Sequence, residues 1–173
     1  MLPNTSAYTA ILFAVSAGAQ KLNRWPEINQ SRNTAGNYTD GDINTFEVKP
    51  YDVSSDGGTF PMLFETPITI SGLYIQCSGD DLITDYVVRG NVGRFSELLA
   101  VGRVCGAKGN FTYVPLIDPQ TGKPPQTDLW YVDVLGTERS TFTYRINEIW
   151  PVFPGDEVVD PKNTSPCPEL DSR

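Results

Sequence analysis

The chain has 173 residues, 39% of them hydrophobic and 20% charged, with 21 acidic side chains against 13 basic ones, a formal net charge of −8 and no histidine. That is the length of one domain, with enough apolar material for a core and too little charge for a disordered polyelectrolyte. An acidic chain without a basic cluster makes a poor partner for nucleic acid, whose phosphates call for dense Lys and Arg. The absence of histidine also removes His-based triads, imidazole bases and His zinc sites.

The first part of the chain is ambiguous. Residues Ala7 to Ala19 form an apolar run ending in small residues at Ala17 and Ala19, as before a signal-peptidase cut, but the first basic residue, Lys21, comes only after the run. The run is too short to span a bilayer, which takes about 20 apolar residues. Residues 1–22 are therefore expected to form an N-terminal arm, a strand or short helix packed on the domain or on a neighbour, with no membrane insertion.

From there, period-two patterns dominate. A short strand is expected over Phe60–Phe64. Ile68 and Ile70 are in phase with each other, and Gly72 then shifts the phase to Leu73, Ile75 and Cys77, which suggests a bulge or bend. Further strands are marked by Leu82, Tyr86 and Val88, by Phe111–Val114, by Trp130, Val132 and Val134 alternating with Tyr131 and Asp133, and by Phe142, Tyr144 and Ile146. Turn signals separate them, among them Asp40-Gly41, Asp56-Gly57-Gly58, Gly79-Asp80 and Thr121-Gly122-Lys123-Pro124-Pro125. Only Ala7–Ala17 and the brief Ser96–Ala100 look helical. Strands at this spacing argue for an antiparallel sandwich or barrel.

Residues Pro154 to Arg173 differ, with four prolines and five acids against Lys162 and Arg173. This composition forms no core and predicts an extended acidic tail, whose ordering would need a holder such as a partner surface or a second copy. The expected organisation is an N-terminal arm (1–22), a sandwich (23–153) and a Pro-rich tail (154–173). Cys77, Cys105 and Cys167 lack paired metal-ligand spacing, and one disulfide with a leftover thiol or three free thiols are both open.

Several segments in order resemble a known family. The run Asn37-Tyr38-Thr39-Asp40-Gly41-Asp42-Ile43-Asn44-Thr45-Phe46 resembles the early signature of discoidin-type, galactose-binding-like domains. The turn Asp56-Gly57-Gly58, the edge Leu63-Phe64-Glu65, the strand Thr66–Gln76, the segment Tyr86–Asn91 and the closing strand Tyr144–Ile149 follow in the family's order, so that the resemblance spans roughly residues 25–153. It implies an all-β, antiparallel, jelly-roll-like sandwich. Departures are visible too. The arginine beside the aromatic is missing at Asp128-Leu129-Trp130-Tyr131-Val132, and Asn91-Val92-Gly93-Arg94-Phe95 replaces the family's central loop.

The resemblance implies two kinds of site. One is a structural calcium at Asp40, Asp42 and Thr45, approached by Glu148 from the last strand. Calcium takes about 6–8 oxygen ligands, and a glycine lets backbone carbonyls join; an Asx turn with solvated acids would give the same sequence. The other is a glycan site built from loop aromatics and polar groups, with Trp25, Tyr38, Tyr51, Arg89, Asn91 and Arg94 as candidates. No enzyme is expected, because Asp80-Asp81 and Asp156-Glu157 point to opposite faces on extended chain and no nucleophile elbow or phosphate loop is present.

Two functions follow as expectations. The first is a non-catalytic virion structural protein, a capsid decoration or cement protein or a tail-associated subunit, held in a protein lattice or homo-oligomer through its arms. The alternative is a carbohydrate-binding module or lectin-like adhesion protein for a cell-surface glycan. The expected location is the virion or an extracellular surface.

Overall fold

The computed structural model describes residues 36–50, 58–92, 97–139 and 143–168. Among these, eight strands form two four-stranded antiparallel sheets. The strands are β1 (Glu47–Pro50), β2 (Thr59–Thr69), β3 (Gly72–Ser78), β4 (Ile83–Asn91), β5 (Leu98–Val104), β6 (Phe111–Pro115), β7 (Gln126–Thr137) and β8 (Thr143–Val152). The first sheet has the order β1-β8-β3-β6 and the second β2-β7-β4-β5. No described residue is helical, and no described segment forms a helix long and apolar enough to cross a membrane.

The alternating residues meet between the sheets. Phe60, Met62, Trp130, Val132, Val134, Tyr86 and Val88 face Leu73, Ile75, Val114, Tyr144, Ile146 and Ile149 in one buried core. Non-local pairing of this kind is what two half-apolar sheets need to remove their inner faces from water. The phase shift at Gly72 is a corner rather than a bulge within one strand, since β2 ends in the second sheet and β3 begins in the first. A Cβ on Gly72 would stand 2.5 Å from the Tyr113 ring, so the corner has room for glycine alone.

One expectation needs correction. The helix-like Leu98–Ala100 opens the edge strand β5. Its pairing with β4 shifts register between Val88↔Gly102 and Arg89↔Ala100, so Val101 is an extra bulged residue. The bulge breaks the alternation and leaves a run of helix-forming residues that masks the strand.

The two outer faces differ. On the first sheet a second apolar cluster forms outside the sandwich from Tyr74, Trp150 and Val152, with Ile43, Phe111 and Tyr113 packed against it. Phe111 stacks on Tyr74 with ring centroids 5.1 Å apart. The chain after β8 runs over this face as an extended strap. The Val159 N–H donates to Tyr74 Oη at 2.7 Å. Asn163 Nδ2 donates to Lys108 O and, at 2.8 Å, to Phe111 O. Ser165 pairs with Cys105, and a disulfide joins Cys105 to Cys167. The described part of the acidic tail is thus held by its own domain, which corrects the expectation of an external holder. The strap also covers part of the β6 edge, where an open ladder would otherwise invite a second chain. Cys77 remains a buried thiol, pushed up to about 12 by burial.

Candidate functional site

The turn over residues 36–46 lies against β8. Asn37 Nδ2 closes it on Phe46 O at 3.0 Å, and the Ile149 N–H fastens it to Tyr38 O at 2.8 Å. A register shift in the β3–β8 ladder, between Gln76↔Glu148 and Cys77↔Ile146, inserts Asn147 as an extra residue, and its side-chain amide donates to Ile43 O at 3.0 Å. Next to it Glu148, fully buried, accepts the Gly41 N–H through Oε2 at 2.8 Å. Gly41 has φ 83°, in the region that favours glycine, so the residue type and the aimed N–H go together.

Two features of this turn show a surplus of acceptors. Glu148 Oε1 is buried and makes no hydrogen bond. The Thr45 hydroxyl lies 2.8 Å from Asp40 Oδ2, 2.9 Å from Asp42 O and 3.2 Å from Asn37 O. A hydroxyl has one proton to donate, so three acceptors around it cannot all be satisfied. Burial pushes the Glu148 carboxyl up to about 8; the Gly41 and Ile149 N–H groups oppose the rise, and the charges of Asp40 and Asp42 add to it. Among the described residues no three Asp, Glu, Cys or His side chains stand in metal-ligating geometry. A cation here would therefore draw on carbonyls and the hydroxyl as well as carboxylates. Such an all-oxygen set fits a hard cation such as calcium. Asp40 and Thr45 meet on this turn and Glu148 reaches the N–H of Gly41 between them, while the Asp42 carboxylate accepts from the backbone and side chain of Asn44.

The glycan candidates fare differently. Tyr38 is not an exposed loop aromatic: it is a core residue, edge-on to Phe60 at 5.1 Å, with its hydroxyl donating to Pro61 O at 2.7 Å. Burial, with Glu47 adding to it, pushes its hydroxyl up to about 12. The ring is bulky and apolar enough to pack in the core, and that use outweighs display. Asn91 ends β4 half-buried, outside the groove described next. Trp25, Tyr51 and Arg94 lie outside the described residues, as does the arm over 1–22.

Among the described candidates, Arg89 lines a groove. It stands on the outer face of the second sheet, in a cavity of about 460 Å³ with Thr59, Leu98, Tyr131, Asp133 and Leu135. The register explains the grouping, because Thr59 pairs with Asp133 across β2–β7, and Arg89 with Tyr131 across β4–β7. Arg89 Nε donates to Asp133 Oδ2 at 2.8 Å, and Thr59 Oγ1 donates to Asp133 Oδ1 at 3.0 Å. Leu98 and Leu135 are exposed on the rims. Sequence reasoning missed Thr59, Tyr131 and Asp133 as site residues. The signal was present in Tyr131 and Asp133 as the polar side of the Trp130–Val134 alternation, but only the register brings Arg89 beside them.

No family model and no curated protein matches the sequence. Solved structures do match in fold. One is the family 32 carbohydrate-binding module from Streptococcus pneumoniae EndoD, at TM-score 0.53 and 15% identity over 68% of this chain and 83% of that one. Another is chitosan-binding module 2 of a chitosanase/glucanase from Paenibacillus sp. IK-5, solved with chitotriose, at TM-score 0.55 and 13% identity over 70% of this chain and 88% of that one. A third is the family 32 module of C. perfringens NanJ, solved with galactose, at TM-score 0.53 and 15% identity over 70% and 88% of the two chains. At these identities the likeness shows the fold alone: this chain has the discoidin-like β-sandwich fold of these modules.

Proposed function

We propose that the chain is a non-catalytic carbohydrate-binding module, with its glycan seated in the groove of Thr59, Arg89, Tyr131 and Asp133 and one structural calcium at the turn of Asp40, Asp42, Thr45 and Glu148. The observation that carries it is the groove. A guanidinium and a carboxylate lie side by side on an open sheet face, next to a tyrosine and two exposed leucines. Sugars are bound by such mixtures, with polar groups taking the hydroxyls and apolar groups taking the C–H face of the ring. The cavity falls within the roughly 300–1,000 Å³ of small-molecule sites. Neighbours in fold are modules solved with galactose and with chitotriose.

Calcium, when bound, would supply positive charge to a turn that has acceptors in excess. Glu148, Asp40 and Thr45 would hold the turn against β8, some way from any chemistry on a ligand. The Cys105–Cys167 disulfide supports an oxidising, extracellular setting. The assembly role drew on an ordered tail in need of a partner, and the strap's own bonds to Tyr74, Phe111 and Cys105 account for that order.

A glycan array followed by titration calorimetry tests the proposal. Binding of at least one glycan is expected, and it should weaken in Tyr131→Ala. Absence of binding across the array, with a folded protein in calcium, would overturn it.

A further inference from the structure

We infer that the groove on the second sheet selects neutral pyranosides over both uronates and amino sugars, and that the Arg89–Asp133 pair is the selector. The inference rests on the glycan-binding reading and adds the ligand's charge and the residues that read it.

The argument starts from compensation. Among the described residues, Arg89 and Asp133 are the charged side chains that line the groove; β2 contributes Thr59, β5 contributes Leu98, and β7 adds Tyr131 and Leu135. The guanidinium binds the carboxylate through Nε at 2.8 Å. Among the described residues its two Nη groups make no hydrogen bond, and the side chain is 40% exposed. Each Asp133 oxygen accepts one bond, from Arg89 or from Thr59, and a carboxylate oxygen has capacity for a second. The pair therefore presents unused donors and unused acceptors next to each other with no net charge.

A vicinal diol fits that pattern. One hydroxyl accepts from an Arg89 Nη, and its neighbour donates to an Asp133 oxygen. Both ligand groups are neutral, so the ion pair is kept. A uronate in the same place can reach the free Nη groups only with its carboxylate beside Asp133, so that two carboxylates share one guanidinium. An ammonium sugar does the reverse, competing with Arg89 for Asp133. Like charges brought together across an interface are strongly disfavoured, which makes the penalty large enough to set specificity. Leu98 and Leu135, exposed at 42% and 44%, give the ring's C–H face an apolar contact whatever the charge, so selection falls to the pair.

The test uses the full chain in calcium and matched sugar trios. Each trio has a methyl pyranoside, the corresponding uronate and the corresponding 2-amino sugar, in galacto, gluco and manno forms, and binding is followed by calorimetry or NMR titration. In at least one configuration the neutral member should bind about tenfold or more tightly than its charged partners. Asp133→Asn leaves Arg89 uncompensated and should shift the neutral-to-uronate ratio about tenfold toward the uronate. Arg89→Gln leaves Asp133 uncompensated and should shift the balance toward the amino sugar. A merely structural role for the pair would lower all affinities together and leave these ratios unmoved. Equal or tighter binding of a charged sugar by the wild type, or unchanged ratios in both folded variants, would overturn the inference while leaving glycan binding standing. No binding by any trio member or by a glycan array would overturn both.

Discussion

The two outer faces of this sandwich use charge in opposite ways. The first sheet's face is roofed by the 36–46 turn and by the C-terminal strap. Under that roof Glu148 is fully buried, with one oxygen bonded to the Gly41 N–H and the other without a partner. The second sheet's face carries an open groove, where Arg89 and Asp133 compensate each other in partial contact with water. An uncompensated buried carboxylate is costly unless it is protonated or meets a cation. A compensated exposed pair costs little and adds little to stability, typically about 0–1 kcal/mol. The roofed face is therefore where changes should affect folding, and the open face is where they should affect binding.

The largest effect should come from the roof. Replacing Cys105 and Cys167 by Ser removes a cross-link over a sequence separation of 62. Loop-closure entropy for such a span gives a loss of about 4 kcal/mol. Urea unfolding would read it, and glycan affinity of the folded fraction should not change. A parallel loss of affinity would break the separation of the two faces.

Next comes the cation at the turn. At about 100 times its dissociation constant, calcium should add about 2.7 kcal/mol. For a chain of this length that corresponds to roughly 5–10 °C in Tm, to be lost in EDTA. The pH dependence has a definite sign. Glu148 is held up to about 8 against an ordinary 4.5, so between these values the folded chain keeps a proton that the unfolded chain has released. Without the ion, stability should fall as pH rises through that window. With calcium, which needs the carboxylate ionised, the ion's contribution should grow over the same window. Equal melting curves in calcium and EDTA across that range would argue for a plain hydrogen-bonded turn.

On the open face, Tyr131→Ala should weaken glycan binding about tenfold to hundredfold, in the range of a contact residue at the centre of a site. Its melting temperature should change little, since Tyr131 lies outside the inter-sheet core. The smallest effect is expected for Tyr74→Phe. It removes the hydroxyl that accepts the Val159 N–H and should cost about 1 kcal/mol, read by thermal melting, with no effect on the groove.

Much of this architecture is legible along the chain, and the failures have physical causes. Trp130, Val132 and Val134 announce a strand because alternation is what a half-buried pleat requires. β5 hides because a bulge at Val101 breaks the alternation. Asp40, Asp42 and Thr45 are neighbours in sequence, and the resemblance supplied Glu148, whose carboxylate the fold brings to the Gly41 N–H. The groove was not legible, because Thr59, Arg89 and Asp133 meet through the register of three strands. Tyr38 misled because a loop position suggests display, whereas its ring fills the core. The strap depended on which cysteines pair, and three cysteines leave that choice open.

The most direct test of where the ligand sits is an NMR titration of isotope-labelled protein, in calcium, with the tightest glycan from an array. Shifts centred on Thr59, Arg89, Tyr131 and Asp133, with the strap and the 36–46 turn unmoved, are predicted. Shifts confined to the strand end at Asn91 and Val92, or to the roofed face around Tyr74 and Phe111, would contradict that placement.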